Sequence, residues 1–313
     1  MSDTIELGKT GIRVSPLGIG AWQWGDRFFW GYGNGYGDAD LRSAFEVTLN
    51  SGINFIDTAE IYGPHTSERK LGELFQTQKA EVVIATKFFP LPWRWRRGDL
   101  GRALRGSLKR LGVPRVDLYQ THWPFGPGAI EMWMEAMADA SNDGFIRAVG
   151  VSNYSVEQMK RAHDMLAKRG VLLASNQVEY SLLQHSPERA GLSAACKEMG
   201  VTLIAYSPLA KGLLSGKYTP DNPPPLARRR RYNHERLAAM QPLIGLTKEI
   251  GQAHGGRTSS QVALNWLMCK GALPIPGAKN VKQAQDNAGA LGWRLTDAEV
   301  AALDEASNLL LCS

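Results

Sequence analysis

Short apolar runs rich in β-branched residues alternate with amphipathic segments along almost the whole chain. LGIGAW (17–22) precedes a helical stretch over 39–51, and INFIDTA (53–59) precedes one over 67–75. VVIATKF (82–88) leads to a helix over 100–111 that stops at Gly112 with Pro114 just beyond, residues that terminate helices. VDLYQTHW (116–123) is followed by a stretch in which Ile130, Trp133, Met134 and Met137 fall at i, i+3, i+4 and i+7, one face of a helix. The alternation continues through IRAVGVS (146–152), LLASNQVEY (172–180), VTLIAYS (201–207) and ALPIPGA (272–278). Helices are predicted near 156–167, 188–199, 242–254, 259–269, 281–288 and 296–306. The last of these opens with Thr296 as N-cap and Glu299 three residues on.

Eight strands, each with a helix after it, predict a parallel sheet with helical crossovers, and in about 300 residues they point to a closed (β/α)8 barrel, an α/β TIM barrel. An open doubly wound sheet is the rival, but no GxGxxG follows the first strand to open a helix. TIELGKTGIRVS, ahead of the first strand, reads as a β-hairpin turning at Lys9-Thr10-Gly11 and placed to plug the closed end of the barrel. Composition never shifts enough to mark a boundary, so one domain over 1–313 is expected.

Composition narrows the classes further. With 43% hydrophobic and 21% charged residues, the 313-residue chain is an ordinary globular sequence. Its mean hydropathy is -0.25. Cys196, Cys269 and Cys312 are odd in number and lack any CxxC spacing, which argues against a disulfide framework and a zinc site; no metal is expected. No apolar run approaches the roughly 20 residues that span a bilayer, and the N-terminus has no signal-like apolar region. A cytoplasmic location is expected, or the plastid stroma if a transit peptide has been removed.

Polar residues at the C-terminal ends of barrel strands converge on one mouth. Asp57 ends the second strand with Tyr62 in the loop beyond, Lys87 ends the third, and His122 ends the fourth. Singly, each has a plain reading as a turn cap, surface phenol, snorkelling amine or buried imidazole. Together they make a proton-transfer device. A phenol of pKa near 10 needs a nearby cation to stabilise the tyrosinate it leaves. Lys87 supplies that cation, Asp57 holds Lys87, and His122 polarises a substrate oxygen.

With these residues in place the chain resembles the aldo-keto reductase superfamily. FIDTAEIYG, ATK, LYQTHW, GVSNYS, SNQVEYSLL, IAYSPLAKGLLSGKY and IPGAKN occur in the family's order and cover nearly the whole chain. GIGAWQWGD, LPWRW and LPIPGAKN look most like plant-chloroplast and cyanobacterial aldo/keto reductases. The resemblance implies NADPH (NADP+) as cofactor, a small-molecule carbonyl substrate, and Asp57, Tyr62, Lys87 and His122 as the catalytic tetrad with Tyr62 as proton donor. It further implies that Ser152, Asn153 and Gln177 hold the nicotinamide carboxamide, and that Tyr206 stacks on the ring. Trp22, Ser207, Pro208, Leu209, Lys211, Gly212 and Lys217 are expected to line the cofactor site. Gly277, Lys279, Gln283, Asp286 and Asn287 would lie near the adenosine and its 2′-phosphate. Many members have Lys-Ser after the Ile-Pro and Arg where Gln283 stands. Here Gly277-Ala278 follow, which leaves the choice of NADPH over NADH open. The architecture also resembles potassium channel β-subunits, so a nucleotide-binding, redox-sensing regulatory subunit is the alternative function.

The formal charge of +6 is concentrated in places such as LARRRRYN (226–233). That run is read as a loop after strand seven whose Arg228 and Arg230 close over the cofactor phosphates, against a solvated loop as the default. Without interleaved aromatics it gives little support for nucleic-acid binding, and no membrane partner is expected. Trp22, Trp24, Trp30, Phe88, Trp93 and Trp123 are the expected substrate-pocket residues, with Phe89 and Trp95 nearby. The glycine-rich FFWGYGNGYG (28–37) would form a lip over that pocket. Arg94, Arg96 and Arg97 near the mouth would suit an anionic carbonyl substrate, against solvent-facing arginines as the default reading.

Overall fold

A computed structural model describes residues 4–77, 81–126, 129–224 and 233–312. The N-terminal hairpin pairs β1 (Ile5–Glu6) with β2 (Arg13–Val14) antiparallel. The barrel strands are β3 (Gly18–Gly20), β4 (Phe55–Asp57), β5 (Val83–Phe88) and β6 (Val116–Thr121), then β7 (Ile146–Ser152), β8 (Leu173–Glu179), β9 (Thr202–Tyr206) and β10 (Leu273–Pro274). Each pairs parallel with the next in chain order. An isolated bridge between Gly20 and Gly277, with Gly20 N donating to Pro276 O at 3.0 Å, joins the last strand to the first. Here backbone meets backbone so closely that a Cβ on Gly20 would lie 2.9 Å from Ile275 O.

The helices are α1 (Asp38–Asn50), α2 (Thr66–Thr77), α3 (Arg97–Leu111), α4 (Ala129–Asn142), α5 (Val156–Ala167), α6 (Ser186–Arg189) and α7 (Leu192–Met199). They continue with α8 (His234–Ala253), α9 (Ser259–Cys269), α10 (Val281–Ala288) and α11 (Asp297–Cys312). Local signals set most of the ends. Gly112 closes α3 in the left-handed region at φ 69°. Ser155, Thr258 and Asn280 cap α5, α9 and α10, each accepting from the backbone N–H three residues on.

Two stretches depart from the pattern reading. The helix predicted over 188–199 is two pieces, because Gly191 sits between α6 and α7 at φ 71°. The helix predicted from Pro242 begins eight residues earlier at His234, where Asn233 accepts from Arg236 N at 3.0 Å. Pro242 lies inside it rather than in its first turn, the position proline usually favours. Among the described residues no helix is long and apolar enough to cross a membrane.

Strand alternation builds the barrel interior in layers. Phe55, Val83, Ala85, Leu118, Ala148, Ala174, Ile204, Leu273 and Ile275 form an apolar cluster with Leu7, Ile12 and Val14 of the hairpin segment. The hairpin therefore plugs the floor, as its place ahead of the first strand suggested. Two residues further along the strands, Asp57, Lys87 and Gln120 occupy the layer above Phe55, Ala85 and Leu118. Outward-facing residues such as Ile56, Ile84 and Phe88 pack in the separate, larger cluster between sheet and helices.

Candidate active site

The polar layer is organised around Lys87, which is fully buried. Its ammonium has three N–H donors, and three acceptors surround it: Asp57 Oδ2 at 2.5 Å, Thr58 O at 2.9 Å and Tyr62 Oη at 3.4 Å. Since the Tyr62 oxygen accepts from Lys87, its own hydrogen points elsewhere, and Tyr62 lines the cavity above. Asp57 is held from the other side as well. Its Oδ1 accepts from Gln177 Nε2 at 2.8 Å and Gln120 Nε2 at 3.2 Å. Gly150 makes room for this arrangement, because a Cβ there would lie 2.8 Å from Gln120 Cγ and 2.4 Å from Ser175 Oγ.

Burial raises the Tyr62 pKa above the usual phenol value, with Lys87 opposing and Asp57 reinforcing the rise. The phenol therefore stays protonated at neutral pH. Burial works against the Lys87 charge, but Asp57 and Tyr62 outweigh it and hold the amine protonated. The result is an acid with a permanent cation behind it, poised to stabilise the anion formed once the proton leaves.

His122 meets Tyr62 and Phe89 edge-on, with ring centroids at 5.8 and 5.3 Å. Burial, with a smaller contribution from Lys87, lowers its pKa from 6.5 to about 3. The imidazole is neutral at physiological pH. Its Nδ1 is buried without a hydrogen-bond partner, which leaves Nε2 as the nitrogen able to serve the cavity. A consequence for stability follows from the sign of this shift. Between the two pKa values the unfolded chain binds a proton that the native chain refuses. His122 is thus expected to make the fold less stable as pH falls from 6.5 towards 3. Thermal midpoints measured across that range should decline less steeply in His122→Gln.

Above the polar layer opens a cavity of about 550 Å³. Trp22, Asp57, Ser152, Asn153, Gln177, Tyr206, Ser207, Pro208, Leu209, Lys211, Gly212, Lys217, Gly277, Lys279, Gln283, Asp286 and Asn287 all line it. Register explains part of this convergence, since Ser152 pairs with Gln177 across β7 and β8. Asn153 has φ 63° and reaches back, donating from Nδ2 to His122 O at 3.0 Å and Ser152 Oγ at 3.1 Å. Tyr206 Oη donates to Asn153 Oδ1 at 3.0 Å. Beyond β9 the backbone turns through positive φ at Ser207, Ala210, Lys211 and Gly212, an irregular segment carrying Lys211 and Lys217 into the wall. Opposite it, the N-terminus of α10 opens at Asn280, with Lys279 beside it. A mixed donor and acceptor set, an aromatic ring and two cationic stretches suit the amide, ring and phosphates of a nicotinamide dinucleotide.

The sequence pattern of the Aldo/keto reductase family matches residues 16–308. The chain belongs to that family. It is 40% identical over 311 residues to the chloroplastic pyridoxal reductase of Arabidopsis thaliana, covering 95% of this chain and 84% of that protein. It is 35% identical over 276 residues to an NADP(+) aldo-keto reductase of Schizosaccharomyces pombe, covering 82% and 79%. Among solved structures it resembles the glycerol dehydrogenase of Gluconobacter oxydans, with a TM-score of 0.85 at 27% identity and coverage of 100% and 97%. An aldo/keto reductase of Klebsiella pneumoniae in complex with NADP and acetate gives a TM-score of 0.77 at 28% identity, covering 97% and 95%. This aldo/keto reductase is accordingly an oxidoreductase, with relatives that use NADP.

Three expected pocket residues lie elsewhere. Phe88 follows the inward-facing Lys87 on β5, so alternation sends it outward, where its ring packs 4.7 Å from Trp133. Phe89, just past the strand, lines the cavity instead. Trp24 is fully buried between the first and last barrel loops, donating from Nε1 to Ala278 O at 2.8 Å. Trp93 is 68% exposed and outside the cavity wall. Trp22, Trp30 and Trp123 line the cavity.

The glycine-rich stretch contains no strand or helix, yet it is folded back. Asp26 Oδ1 accepts from Phe29 N at 2.7 Å, and Phe29 stacks on Trp22 at 5.0 Å. Of the arginines near the mouth, Arg94 is spent on buried Glu60 and Arg97 on Glu135 and Asp139. Arg228 and Arg230 lie outside the described residues. Gln120 in the polar layer, and Gln23, Ser215 and Ser260 in the cavity wall, are polar members that motif reasoning missed. Gln120 was legible only as the inward position two residues before His122.

Proposed function

We propose that this chain is an NADPH-dependent carbonyl reductase whose substrate is a planar aromatic aldehyde of the pyridoxal kind. The observation that carries this reading is the saturation of Lys87 by three acceptors, which turns the Tyr62 O–H away from the ammonium. When bound, the reduced nicotinamide supplies a hydride for the carbonyl carbon. Tyr62 gives its proton to the carbonyl oxygen, and Lys87, charged and fixed by Asp57, stabilises the phenolate that remains. His122, neutral throughout, donates one hydrogen bond to the same oxygen and polarises the carbonyl before proton transfer. Ser152, Asn153 and Gln177 orient the carboxamide, Tyr206 backs the ring, and Lys279 at the start of α10 takes the 2′-phosphate.

The substrate class rests on the walls. Trp22 stacks with Tyr62 at 5.8 Å on one side, and Trp123 stacks with Phe125 at 5.4 Å on another. Flat aromatic surfaces favour a flat aromatic guest by stacking, and the Arabidopsis relative is a pyridoxal reductase. Purified protein supplied with NADPH and pyridoxal should turn over, read as loss of absorbance at the reduced-nicotinamide band. Reduction of short aliphatic aldehydes at a higher kcat/KM than pyridoxal would overturn the substrate assignment. Lys279→Ala is expected to weaken NADPH by about tenfold, the scale of a charge-assisted phosphate contact, while changing NADH little. Fluorescence titration with both nucleotides checks this, and equal losses would move the 2′-phosphate contact elsewhere.

A further inference from the structure

Glu60 stands between Asp57 and Tyr62 in the sequence, but its side chain takes no part in the cavity wall. It is buried, with 4% of its side chain exposed, and pairs with Arg94, which is 18% exposed. The pairing is two-pronged. Both Nη atoms of Arg94 donate to the carboxylate, the second to Oε2 at 3.1 Å. Glu60 Oε1 also accepts from Phe89 N at 2.7 Å, while Arg94 Nη1 donates to Phe89 O at 2.8 Å. The guanidinium lies 5.1 Å from the centroid of the Phe88 ring. One ion pair thus grips both backbone groups of Phe89 and rests on the residue before it.

What the pair joins gives it a role. On one side is the turn that carries Tyr62, in which Tyr62 N donates to Ala59 O at 3.1 Å and His65 N to Glu60 O at 3.1 Å. On the other side is Phe89, whose ring lines the cavity and touches the edge of His122. Tyr62 sits in a loop beyond the strand end, and its 3.4 Å contact with Lys87 is the longest of the three that the ammonium makes. We propose that Glu60 and Arg94 are positioning residues that lock the Tyr62 turn to the loop after β5 and so set the phenol, the Phe89 wall and His122 in one geometry. They act through Tyr62 and Phe89 and touch neither substrate nor cofactor. The inference rests on Tyr62 being the proton donor.

The test compares Glu60→Gln, Glu60→Leu and the double variant Glu60→Leu/Arg94→Leu with the unchanged protein, reading kcat, KM, NADPH affinity and thermal midpoint. Glu60→Leu should lose about 100-fold in kcat, the loss that an ångström of misplacement produces, with NADPH affinity preserved. Glu60→Gln keeps an oxygen for Phe89 N and should return kcat to within about fivefold of the unchanged protein, since the positioning bond survives the loss of charge. The double variant also removes the guanidinium that Glu60→Leu leaves without its carboxylate, so its thermal midpoint should recover relative to Glu60→Leu while kcat stays low. A folded double variant with normal kcat would overturn the proposal. So would a fall in NADPH affinity matching the fall in kcat, or a kcat that simply follows thermal midpoint across the three variants. Full activity in Tyr62→Phe, by contrast, would defeat the donor assignment itself and is read separately.

Discussion

Replacing Tyr62 by phenylalanine is expected to reduce turnover by about three to four orders of magnitude, the upper range for losing a positioned general acid. The substitution removes one oxygen and leaves the ring, so the stack with Trp22 persists. NADPH affinity should change less than about twofold, because the lost interaction belongs to the transition state rather than to cofactor binding. Stopped-flow turnover alongside fluorescence titration measures both quantities on one preparation. Comparable kcat in the two proteins would assign the proton to another group. His122 is a poor substitute, since burial holds its imidazole neutral and a neutral imidazole gives up its remaining proton only to a very strong base.

The second large effect is expected from Lys87→Met. Its side chain is completely buried, and Asp57 is almost equally so. Removing the ammonium strands a carboxylate whose remaining donors are the amides of Gln120 and Gln177. Breaking one side of a buried ion pair costs about 3–5 kcal/mol, because the surviving charge is left without its counterion. Turnover should fall with it, since the Tyr62 phenolate loses its cation. The double variant Asp57→Asn/Lys87→Met separates the two effects. Denaturant midpoints should return most of the way to the unchanged protein, while turnover stays at the Lys87→Met level. Recovery of turnover as well would mean that Lys87 serves the fold alone.

Much of this was legible in the chain. Alternation of apolar runs with amphipathic segments revealed all eight barrel strands, because a parallel barrel needs a helix after each strand and leaves that rhythm in the residues. Asp57, Lys87 and His122 were visible as polar residues at strand ends, where a barrel has no apolar use for them. Side-chain direction was less accessible. Phe88 and Phe89 are identical in type and adjacent, and only the inward facing of Lys87 decides which one enters the cavity. Trp24 was hidden for a different reason: its indole satisfies a carbonyl 254 residues away, and no local pattern encodes that contact. Arg94 looked like an exposed cation because its partner, Glu60, lies on another loop.

The hairpin ahead of the first strand has an electrical consequence. Its Leu7, Ile12 and Val14 fill the lower barrel, so among the described residues the layer beneath Asp57 and Lys87 is hydrocarbon. The attraction between two charges scales inversely with the effective dielectric around them. Water admitted from below would screen the ammonium and weaken its hold on the phenolate at the other end of the barrel. The hairpin at the remote face thus acts as insulation, and on the proposed chemistry it keeps the field of the Lys87 ammonium strong where the Tyr62 hydroxyl stands.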